Sequence, residues 1–97
     1  MEKYLWKFHW NCRRAGKLDS IFIATQEEVD NLIGKEIWFG EVLGKHSEVY
    51  GTVEKGEIVK LDVSQNTVDE LYALMGDTLS GYNPVEYYEE YNYEEEL

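Results

Sequence analysis

An α+β domain on a small, mainly antiparallel sheet is the fold class this sequence predicts. Three observations carry it. The first segment alternates apolar and polar residues, two short segments have helical spacing with clear start and stop signals, and the connections are short enough to fold strands back on themselves. The expected order is ββαβββα, about five strands, with two short helices on one face and an acidic C-terminal tail. Residues 1–76 are read as the single domain and residues 77–97 as the tyrosine- and glutamate-rich C-terminal segment.

Between Tyr4 and Arg13, Tyr4, Trp6, Phe8, Trp10 and Cys12 fall on one face, while Lys7, His9, Asn11 and Arg13 fall on the other. A period of two is the mark of a half-buried strand. Gly16 turns the chain in "RRAGKLD", and "LDSIFIAT" returns as a second strand. In "TQEEVDNLIG", Thr25 and Glu28 have the spacing of a reciprocal capping box, Val29, Leu32 and Ile33 form the apolar stripe, and Gly34 stops the helix. "KEIWFGEVL" and "SEVYGTVE" read as strands joined through "GKH". "EIVKLDV" follows a tight turn at Lys55-Gly56. Ser64 or Thr67 caps the second helix, whose stripe is Val68, Leu71, Tyr72 and Met75 and whose end is Gly76. Asn83 followed by Pro84 suits a cap and a first helical position, but the glutamates beyond repel one another at a helix C-terminus.

The charge is unevenly spread. Of the net −11, residues 1–76 carry nine bases against thirteen acids, a net of −4, and residues 77–97 carry seven acids and no base. Such a field repels nucleic acid and anionic membrane and attracts basic protein surfaces. No apolar run is long enough to cross a bilayer, and the N-terminus reads as mature structure rather than a signal peptide. The lone cysteine, Cys12, has no internal disulfide partner, which fits a cytoplasmic location.

Several chemistries are poorly served. "GEVLGKHS" looks like a phosphate-binding loop, yet it has one residue too few between Gly40 and Gly44, His46 in place of the hydroxyl residue, and a strand where a helix should follow. His9 and Cys12 lie on opposite faces of one strand, and with His46 they do not complete a metal site, so no metal or other cofactor is expected. Cys12 sits on the core face, as a small hydrophobe rather than a nucleophile, and the expectation is a non-enzyme.

The aromatic residues point elsewhere. Trp38 falls on the strand face opposite Ile37 and Phe39, which leaves it either covered by something or exposed as a contact site. In "YNPVEYYEEYNYEEEL", Tyr87, Tyr88, Tyr91 and Tyr93 are candidate anchors, and Glu86, Glu89, Glu90, Glu94, Glu95 and Glu96 are candidate phosphate mimics. The bland alternative is a solubilising end, or one packed on its own domain beside Trp38. Size, charge and the stretch "EYYEEYNYEEEL" resemble small acidic proteins of bacteriophages and mobile elements, of the anti-restriction and anti-CRISPR type. The resemblance implies an inhibitor that needs no cofactor and occupies a nucleic-acid-binding groove. The leading expectation is therefore an inhibitor docking an acidic, tyrosine-rich surface on a basic, nucleic-acid-handling protein. Two alternatives stand beside it. One is a binder of a phosphorylated small molecule at Gly44–Ser47, using Lys45, His46 and Ser47 with help from Arg13, Arg14 and Lys17 and an aromatic such as Trp38 or Tyr50. The other is a homo-oligomeric assembly subunit joined through Trp38 and strand edges.

Overall fold

In the computed structural model, which describes residues 2–12, 16–43 and 48–88, the chain forms β1 (Lys3–Asn11), β2 (Lys17–Thr25), α1 (Gln26–Leu32), β3 (Glu36–Gly40), β4 (Val49–Thr52), β5 (Ile58–Lys60), α2 (Gln65–Met75) and β6 (Thr78–Gly81). A single helical turn follows at residues 84–88. The fold is the small α+β class expected. Its main sheet is antiparallel in the order β5-β1-β2-β6, and β3 pairs with β4 in a separate two-stranded sheet.

The hairpin of β1 and β2 is the spine. It pairs from Lys3 opposite Thr25 to Asn11 opposite Lys17. Strand alternation sends Trp6, Phe8, Trp10, Leu18 and Phe22 to one face, and Leu5 and Ile23 to the other. The first face is covered by Val29 and Leu32 of α1, by Ile37, Phe39 and Val49 of the β3–β4 hairpin, and by Val85 of the last turn. The second face is covered by Val68 and Leu71 of α2. The helices therefore lie on opposite faces of the main sheet, where the sequence reading put both on one. The physical reason is that both faces of the spine are apolar, so each needs its own cover.

Local signals explain the helix ends. Thr25 Oγ1 accepts the Glu28 amide at 3.1 Å and the Glu28 carboxylate accepts the Thr25 amide at 2.9 Å, the expected capping box. Ser64 Oγ accepts the Thr67 amide at 3.2 Å and so caps α2, which ends at Gly76. Of the stripe expected on α2, Val68 is buried and Leu71 half-buried, while Tyr72 and Met75 are exposed.

Two departures concern strands. The turn at Lys55-Gly56 forms, but the strands beside it belong to different sheets, because β5 pairs with β1. β6 was not expected; it pairs with β2 and brings Leu79 against the α2 side. Beyond it, Asn83, Pro84 and Val85 are buried, so the folded part runs past Gly76. No helix among the described residues is long and apolar enough to cross a membrane.

Candidate protein-interaction surface

The β3–β4 hairpin turns one face inward and one outward. Glu36 pairs with Thr52, Ile37 with Gly51 and Trp38 with Tyr50; a bulge then sets Gly40 opposite Val49. Gly40 sits at φ +81°, the left-handed region open to glycine, and lets the bulged strand keep Phe39 turned toward the core. Ile37, Phe39, Val49 and Val53 are buried beneath. Trp38 is 47 % exposed and Tyr50 62 % exposed on the outer face.

Glu36 precedes Trp38 by two residues and Glu48 precedes Tyr50 by two, so the strand period places both carboxylates on the face of the aromatic pair. Because the strands run antiparallel, the two glutamates bracket the pair at opposite ends. All four side chains line a shallow cleft of about 250 Å³. Tyr50 and Glu48 also border a second groove of about 350 Å³, which Trp10, Cys12, Gly51 and Glu57 continue. Its far wall is fixed. Trp10 Nε1 donates to the Glu57 carboxylate at 2.8 Å, and the same oxygen accepts the Glu54 amide at 2.7 Å. Burial pushes the Cys12 thiol above its ordinary range, which keeps it protonated and poorly nucleophilic near neutral pH. Among the described residues, the charged side chains lining the cleft and the groove are glutamates.

The predicted anchors divide. Tyr87 is half-buried, with its ring 4.8 Å from that of Phe39 and 6.2 Å from that of Tyr82. Tyr88 packs partly buried against the same core. Glu86 is exposed and accepts a hydrogen bond from Thr78 Oγ1 at 3.0 Å. Tyr91, Tyr93, Glu89, Glu90, Glu94, Glu95 and Glu96 lie outside the described residues, as do Arg13, Arg14, Lys45, His46 and Ser47. Lys17 is exposed at the start of β2. Among the described residues no group of three or more His, Cys, Asp or Glu side chains stands close enough to hold a metal ion.

The sequence placed Trp38 on the face opposite Ile37 and Phe39 and left open whether that face is covered; in the structure it is exposed. Glu36 and Glu48 were missed as site residues, although the alternation that turned Trp38 outward also marked Glu36. Their meeting with Tyr50 depends on the cross-strand register, which a single strand does not encode. Comparison with known proteins finds no family model, no curated protein and no solved structure that matches this chain.

Proposed function

We propose that this is a non-enzymatic interaction protein, an inhibitor that sets an acidic, tyrosine-rich surface against the basic face of a nucleic-acid-handling partner. The observation that carries the reading is the outward Trp38–Tyr50 pair bracketed by Glu36 and Glu48. Large aromatic side chains give an interface much contact area for little lost entropy, and they dominate binding hot spots. The surrounding carboxylates, with a net charge of −11, speed encounter with a basic partner. Tyr87 packs on Phe39, behind this hairpin. Glu36 and Glu48 on the cleft oppose an anionic ligand beside Trp38 and Tyr50, which favours this reading over a phosphate binder that stacks on those rings.

The test is affinity capture from a bacterial lysate with two full-length baits. One is the native chain; the other carries glutamine at positions 36, 48, 89, 90, 94, 95 and 96. Neutralisation is preferred to truncation at Gly76, which would remove β6 and Val85 from the fold. The expected result is a basic nucleic-acid-binding protein held by the native bait, lost from the glutamine bait and released as salt rises to about 0.5 M, where exposed charges are strongly screened. Equal capture by both baits, or retention through high salt, would sink the electrostatic reading.

A further inference from the structure

The geometry points to a more specific role for the outer face of the β3–β4 hairpin: the cleft between Trp38 and Tyr50 receives one arginine side chain of the basic partner. The inference rests on the proposed function and names the chemistry of its contact.

Three features select a guanidinium. The walls are two aromatic residues that a planar cation can stack against, and cation–π attraction is strongest on Trp. The ends are the carboxylates of Glu36 and Glu48, acceptors for the guanidinium N–H groups. The adjoining groove adds Glu57, so the next basic residue of a partner segment also meets negative charge. Lysine satisfies the charge, but it has neither the plane to stack nor the fork to bond a carboxylate with two donors. The hairpin's apolar side chains Ile37, Phe39 and Val49 face the domain core, so its outer face presents Trp38, Tyr50 and the two glutamates.

The probe is a peptide of alternating glycine and arginine, compared with its lysine and citrulline counterparts, titrated into the full chain at low salt. Affinity is measured by isothermal titration calorimetry, which serves the native chain and Trp38→Ala alike; in the native chain, where Trp6 and Trp10 are buried at 3 % and 7 % exposure, indole fluorescence adds a local report on Trp38. The arginine peptide is expected to bind roughly three- to five-fold tighter than the lysine peptide, and the citrulline peptide to show no saturable binding. Trp38→Ala should weaken arginine-peptide binding by a similar factor, and Glu36→Gln with Glu48→Gln should weaken it and flatten its salt dependence. Unchanged indole signals from Trp6 and Trp10, bonded to the Ala24 carbonyl and to Glu57, certify that each variant is folded. Wild-type affinity in Trp38→Ala, or equal affinity for arginine and lysine, overturns the cleft while leaving the acidic docking surface standing. Arginine-selective binding without capture of any basic protein from lysate has the opposite meaning: the cleft holds and the proposed function fails.

Discussion

Gly81 and Gly51 show how one substitution has two outcomes. A Cβ built on Gly81 would lie 2.0 Å from the Asp19 carbonyl oxygen and 2.9 Å from Ser20 Cα, and the residue sits at φ +70°. Both neighbours are backbone atoms of β2, so nothing there can swing aside. Gly81→Ala is expected to cost about 3 kcal/mol, combining overpacking with a disfavoured backbone angle. A Cβ on Gly51 meets only the Trp10 ring, at 3.7 Å, an ordinary contact. Gly51→Ala should therefore stay within about 1 kcal/mol of the native protein. Urea unfolding followed by tryptophan fluorescence measures both, and a Gly81→Ala midpoint equal to that of Gly51→Ala would contradict the close approach of β6 to β2. Lys3 shows a residue serving several neighbours at once. Its ammonium lies 4.0 Å from the centre of the Tyr72 ring and 3.5 Å from the Asp77 carboxylate. Tyr72 first, then Asp77, outweigh desolvation and raise its pKa. The contribution to stability is thus present through neutral pH and is lost only as pH climbs past the lysine range.

At the scale of elements, a buried side chain caps the last turn. Asn83 is 2 % exposed; its amide oxygen accepts the Val85 N–H at 3.0 Å and its amide nitrogen donates to Thr78 Oγ1 at 3.1 Å. Asn83→Ala removes the cap and leaves a buried N–H without its acceptor, an expected loss of about 2 kcal/mol. A loss under about 0.5 kcal/mol in thermal or urea unfolding would mean that the turn at residues 84–88 does not share in the domain's stability. This cap was legible in "NP", as were Thr25 with Glu28 and the stop at Gly76, because capping is decided within a few residues. What depends on distant pairing was not legible. β5 was legible as a strand within "EIVKLDV" but its pairing with β1 was not, and β6, only four residues long, gives no periodic signal and forms only beside β2. The side of the sheet that α2 covers was hidden for a similar reason. Leu5 shares its strand face with the polar Lys7, His9 and Asn11, and it joins Ile23 in a patch only when the β1–β2 register sets the two opposite one another. The candidate site follows the same division: Trp38 was visible, while its partnership with Tyr50 waited on pairing.

Across the whole molecule, repulsion outweighs attraction among the surface charges. The chain has twenty acids against nine bases. Among the described residues the ion pair between permanently charged groups is Lys3–Asp77, and His9 hydrogen-bonds Asp19 across the strands, both contacts partly exposed. Screening should therefore relieve more strain than it removes support. Raising sodium chloride from about 0.05 M to about 0.5 M is expected to lift the thermal midpoint by a few degrees, and a fall would mean that attractive pairs dominate. The same salt should weaken partner binding, so stability and affinity move in opposite directions. The β3–β4 hairpin stands apart from the main sheet's hydrogen-bond ladder. Its inner residues fill the core, while Glu36, Trp38, Glu48, Tyr50 and Thr52 face away from it. Those five positions form a display panel whose lettering can be rewritten without disturbing the wall behind. A combinatorial library confined to them would sample new binding specificities on an unchanged scaffold, and descendants of this chain could change partners by the same short route.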